Sequence, residues 1–121
     1  MKTIFGAVLI VANVASAWAA GGVTASPTIT ISTNTAGDLA ETCGAKQQAK
    51  QMFCQGFAQG AISMKLRDDG APKPFCFPKP TPTRAATMQE FVKWVHASME
   101  RRVMPSTDAL FKFLGEKYVC K

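Results

Sequence analysis

The chain has 121 residues, with 14 Lys and Arg against 8 Asp and Glu, one histidine and four cysteines. Its formal charge of +6 suits acidic partners or anionic surfaces. The basic residues are scattered, Arg101-Arg102 being the only adjacent pair, and no aromatics interleave with them, which argues against a nucleic-acid platform.

The N-terminus reads as an export signal. Lys2 gives a short positive start, and Ile4 to Ala17 is almost unbroken apolar sequence. Ala15-Ser16-Ala17 and Ala17-Trp18-Ala19 then offer A-x-A cleavage patterns. The run falls short of the ~20 residues that a spanning helix needs, so no membrane span is expected in the mature form. A retained anchor is the alternative. Export predicts an extracytoplasmic site, periplasmic in a Gram-negative cell, and an oxidising one. The expected organisation is a signal peptide over 1–20, a flexible Ser/Thr-rich leader over 21–37 and one helical domain over 38–121. The alternation Thr28-Ile29-Thr30-Ile31-Ser32 leaves a short edge strand open within that leader.

At Asp38 the composition changes. Asp38-Leu39-Ala40-Glu41 has the form of a capping box and opens a helical pattern to about Arg67. Gly44 breaks or bends it, while Phe53, Phe57, Ala61 and Met64 recur at helical spacing. Gly56 and Gly60 fall one turn apart, and each costs about 1 kcal/mol in a helix interior relative to Ala. The pair predicts that another backbone packs closely there.

Asp68-Asp69-Gly70 ends the helix, and Pro72, Pro74, Pro78, Pro80 and Pro82 make the next segment stiff and extended. Phe75-Cys76-Phe77 inside it predicts an ordered loop pinned by a disulfide. Thr87-Met88-Gln89-Glu90 is a second capping box, opening a helix with Phe91, Val92, Val95, Met99 and Val103 on one face and Arg101 and Arg102 in its last turn. Pro105 ends it. Ser106 or Thr107 then caps a final helix that turns Leu110, Phe111, Leu114 and Tyr118 inward, forming a hairpin with its predecessor. The fold expected is all-α: a small disulfide-stapled bundle of three to four helices with a Pro-rich loop.

Cys43, Cys54, Cys76 and Cys120 form an even set in an exported chain and read as two disulfides. There is no C-x-x-C pair, and His96 lies far from every cysteine, so metal binding is not expected. On one unbroken helix Cys43 and Cys54 would stand ~16 Å apart, against the roughly 7 Å that a disulfide tolerates. Continuity therefore requires 43–76 with 54–120, or 43–120 with 54–76, whereas a break at Gly44 reopens 43–54. No nucleophile–base pair, phosphate loop or cofactor motif is present, and His96 reads as structural. The chain is expected not to be an enzyme.

Phe53-Cys54-Gln55-Gly56-Phe57-Ala58-Gln59-Gly60, then Phe75-Cys76-Phe77-Pro78, then Asp108-Ala109-Leu110 and Tyr118-Val119-Cys120, resemble the Rap/Tai-type immunity proteins. These are small periplasmic helical proteins that protect a producer from peptidoglycan amidase toxins delivered by type VI secretion. The resemblance covers roughly residues 39 to 120. Phe57 stands where the family usually has Tyr, and Val119 where Pro is common. The resemblance implies a cognate amidase toxin as partner, possible homodimerisation, and a loop that blocks the amidase cleft. The segment from Asp68 to Phe75, with Asp69 and Lys73, or the Pro-rich stretch is then the candidate loop. Competing readings are an acid-stress chaperone and a binder of another envelope component.

Overall fold

A computed structural model of the chain describes residues 28–67 and 72–121. The expected signal segment, positions 21–27 of the leader, and Asp68, Asp69 and Gly70 lie outside the described residues. Positions 28–33 take neither helix nor strand.

The first helix, α1, spans Ala36–Gly44 and opens earlier than the composition implies. Thr35, not Asp38, is the cap. The Thr35 hydroxyl accepts the Asp38 N–H at 3.1 Å, and the Asp38 carboxylate accepts the Thr35 N–H at 3.2 Å. The capping box is real but displaced by one turn, because a distant segment anchors the start. The Ala36 N–H donates to the Met104 carbonyl at 2.7 Å, and Thr35 forms an antiparallel bridge with Pro105. Close approach there requires Gly37, since a Cβ on it would sit 3.1 Å from the Arg102 carbonyl oxygen.

Helix α2 spans Gln48–Leu66, after a break in which Ala45 is extended. That break brings the Cα atoms of Cys43 and Cys54 to 5.1 Å, and the two are bonded. Both pairings that a continuous helix would force are thereby excluded. The bond also fixes which side of α2 meets the core: Cys54 and Ala58 are buried, with Ala61, Ile62 and Leu66 packed against them. The expected face is therefore wrong in part, since Phe53 is 38% exposed and Met64 70%.

Helix α3 spans Arg84–His96 and is capped by Thr83, whose hydroxyl accepts the Ala86 N–H. Thr87, expected as the cap, is buried inside the helix and its hydroxyl donates to the Thr83 carbonyl at 3.0 Å. The helix does not continue to Val103. It ends at His96, and Ser98 caps a single further turn, α4, over Met99–Arg102. Met99 and Val103 are exposed rather than inward. Arg101 and Arg102 instead close the end of α3, donating to the carbonyls of Trp94 and His96 at 2.9 Å each. Arg101 also stacks 4.2 Å from the Trp94 ring centroid.

Helix α5 spans Ser106–Lys117 with Pro105 at its cap position. Contacts between α3 and α5 run in opposite order along the chain: Thr87 with Tyr118, Glu90 with Lys117, Phe91 with Phe113. The predicted antiparallel hairpin is thus present, with α4 inserted in its connection. At the centre lies α1, short enough to touch all four other helices. Its Leu39 joins Phe75, Phe91, Val95, Leu110 and Leu114 as the largest fully buried side chains. The fold is all-α among the described residues, stapled by two disulfides.

Candidate functional site

The most constrained irregular segment runs from Pro72 to Thr83, between α2 and α3. The five prolines of this segment leave few backbone donors for helix or sheet. What holds it is side-chain chemistry at Phe75-Cys76-Phe77. Cys76 is bonded to Cys120 with Cα atoms 4.9 Å apart, and its N–H donates to the Tyr118 carbonyl at 2.8 Å. Phe75 stacks with Phe111 at 6.5 Å and meets Phe77 edge-on at 5.6 Å, while Phe77 lies 5.0 Å from Tyr118. Pro74 passes so close to α5 that a Cβ on Gly115 would lie 3.5 Å from its carbonyl oxygen. The segment is clamped through residues 73–77 to α5 and the residues that follow it.

These contacts sort the residues expected to meet a partner. Lys73 is exposed and available. Phe75 is only 1% exposed and belongs to the core, so it cannot be a contact residue, a correction to the expectation. Its place beside a disulfide cysteine explains this, because bonding Cys76 to the end of α5 draws the neighbouring ring inward. Asp68 and Asp69 lie outside the described residues. Gly56 and Gly60 also depart from expectation. A Cβ on either would meet nothing within 4 Å, so no backbone of the described chain packs there. They sit instead on the open side of α2, in line with exposed Phe53 and Met64.

All four cysteines are in disulfides, which removes them as nucleophiles. His96 is exposed, and its backbone carbonyl accepts from Arg102. Among the described residues no group of His, Cys, Asp or Glu could hold a metal ion. An open groove of about 480 Å³ runs beside α1, lined by Ser32, Asp38, Glu41, Lys50 and His96. Its carboxylate of note is Asp38, which the Thr35 N–H, then the Thr35 and Ser32 hydroxyls, hold below the usual carboxylate range. That stabilises the charge as a helix cap and leaves no proton to exchange near neutral pH. No described helix is long and apolar enough to cross a membrane.

Sequence reasoning passed over Lys65, Lys79 and Lys121, which this clamp brings into the neighbourhood of Lys73 and Phe75. Lys65 lies 5.3 Å from the Phe111 ring centroid, Lys79 follows Phe77 by two residues, and Lys121 follows Cys120. Spacing offers no signal for such a set, because it draws on three separate parts of the chain.

A model of the family described as Rap1a immunity proteins matches residues 35–120. Its first residue is the helix cap, and its last is the cysteine that clamps the loop. Comparison with curated proteins and with solved structures gives no significant match.

Proposed function

Because the chain belongs to the Rap1a immunity protein family, we propose that it binds and blocks a peptidoglycan amidase delivered by type VI secretion, acting in the periplasm. The observation that carries this reading is the clamped segment Pro72–Thr83. An inhibitory loop must present its residues without losing much entropy on docking, and a loop already ordered in the free protein meets that need. The segment is ordered by a disulfide, a backbone hydrogen bond and three aromatic contacts, all independent of any partner. Lys73 and Lys79 stand exposed on either side of the buried anchor Phe75 and offer the contact surface. Two disulfides and the N-terminal export pattern support the periplasm as the site of action.

The test is co-expression of the full precursor with a periplasm-directed amidase encoded beside it. Survival is expected. Continued lysis while the protein accumulates in the periplasm would overturn the reading.

A homodimer through α2 is favoured by a separate observation. Phe53, Gly56, Phe57, Gly60 and Met64 form one stripe on α2, open at both glycines and apolar throughout. Two copies crossing antiparallel would set Gly56 of one against Gly60 of the other, with Phe53 near Met64 at each end. Such a self-complementary patch suits a two-fold interface. Sedimentation should show a dimer that Gly56→Glu with Gly60→Glu converts to a monomer. A wild-type monomer at high concentration would rule it out.

A further inference from the structure

Around the clamped segment the chain gathers cations from three sources. The Lys65 ammonium lies 5.3 Å from the centroid of Phe111, the ring that stacks on Phe75. The Lys117 ammonium lies 5.8 Å from the centroid of Tyr118, the ring packed on Phe77. Lys121 follows Cys120, which is bonded to Cys76. Lys73 and Lys79 flank Phe75-Cys76-Phe77 by two residues on each side and are both exposed. Two of these lysines thus lie over rings packed on the three-residue anchor, and the other three lie within two residues of it or of its disulfide partner in sequence.

Carboxylates offset them only in part. Neither α2 nor residues 72–83 contain an acidic residue. Two described carboxylates lie nearby, on α3 and α5: Glu90 pairs with Lys117 and neutralises it, and Glu116, which accepts the Trp94 indole N–H at 2.9 Å, leaves the other four lysines in excess. Asp68 and Asp69 fall outside the described residues, yet residues 65–79 carry Lys65, Arg67, Lys73 and Lys79 against those two alone. The opposite end of the bundle is different. There Asp38, Glu41, Glu100 and Asp108 stand against Lys46, Lys50, Arg101 and Arg102, and Lys50 shares its groove with Asp38 and Glu41. Cations in excess of carboxylates are therefore found beside the loop.

We propose that this collar is an electrostatic docking surface for an acidic protein face, the one that borders the cleft of the effector. The inference rests on the function proposed above and adds the chemistry of the partner. A cluster of like charges on a low-dielectric wall raises the local potential, steers an oppositely charged protein and selects against basic ones. Fixed positions matter here. The cations stand on a disulfide-pinned frame rather than on a flexible polybasic tail, which suits a shaped pattern of carboxylates on a protein better than the averaged charge of a lipid surface.

The test measures association kinetics of the full mature protein with the purified amidase encoded beside it, at low and at high salt. The variants are Lys73→Glu with Lys79→Glu, and Lys46→Glu as a control in the break between α1 and α2. All three positions are exposed, and circular dichroism with thermal melting checks that each variant folds. Raising the salt, and the double reversal, should each slow association roughly tenfold or more, with the control within about twofold of wild type. Wild-type binding indifferent to both salt and charge reversal would overturn the collar while leaving the immunity reading intact. No wild-type binding at any salt would overturn that reading, and the collar with it. Retention of wild type, but not of the double variant, on phosphatidylglycerol vesicles, with effector binding unaffected, would also overturn it and assign the charge to a lipid surface.

Discussion

Cys76 and Tyr118 are joined through the backbone, amide to carbonyl at 2.8 Å, two residues before Cys120 closes the disulfide back to Cys76. The loop and the end of α5 thus share both a covalent and a hydrogen-bonded tie. A loop of 44 residues is closed by Cys76–Cys120, but only 11 separate Cys43 from Cys54. Chain-entropy reasoning assigns about 4 kcal/mol to the longer and about 3 kcal/mol to the shorter. Replacing Cys76 and Cys120 with Ala should therefore cost more in urea unfolding than replacing Cys43 and Cys54, and it alone should weaken effector binding. Equal binding by the two double variants would show that the clamp does not order the contact surface.

Phe75 and Lys73 are two residues apart and should behave in opposite ways. Phe75 is fully buried, so Phe75→Ala should cost about 3–5 kcal/mol through the cavity it leaves. Lys73→Ala, at an exposed position, should change stability by about 0.5 kcal/mol or less while slowing association with the effector. Denaturant midpoints and binding rates on the same two proteins check this. A Lys73→Ala variant as unstable as Phe75→Ala would contradict the assignment of roles.

Asp38 should give the protein an acid-sensitive cap. Its folded-state pKa is depressed, chiefly by the Thr35 N–H, so its contribution is complete above the unfolded value of about 3.9. That contribution is lost as pH falls through the lower folded value. Asp38→Asn lacks the charge at every pH. The stability gap between wild type and Asp38→Asn should be widest near neutrality and close below about pH 4. A gap that stays constant down to pH 2 would mean that the carboxylate charge is not what stabilises α1.

Gly37 should tolerate little. A Cβ there would stand 3.1 Å from the Arg102 carbonyl oxygen and 3.5 Å from the Arg102 Cβ. Ala gains helix propensity against that crowding, but Val adds two methyl groups where α1 meets α4. Gly37→Val should cost about 1–3 kcal/mol by overpacking, read as a lower melting temperature. An unchanged melting temperature would show that the α1–α4 contact yields freely.

The local signals in the chain determined the helical class, a break near Gly44, the start of the last helix after Pro105 and the ordering of Phe75-Cys76-Phe77. These depend on backbone propensity, capping chemistry and apolar spacing, which act over a few residues. The cysteine contexts also carried the family likeness. Tertiary structure decided what the local signals left open or misplaced. Thr35 replaced Asp38 as the first cap because Met104 and Pro105, about seventy residues on, anchor the chain there. The burial of Cys54 and Ala58 turned α2 so that Gly56 and Gly60 faced outward. The stop of α3 at His96 put Arg101 over Trp94, and bonding of Cys76 to Cys120 moved Phe75 from the contact surface to the core. Helical periodicity marks an apolar stripe but not which neighbour covers it. A lysine collar drawn from α2, the loop and α5 has no period at all, because only the closed chain places those charges side by side.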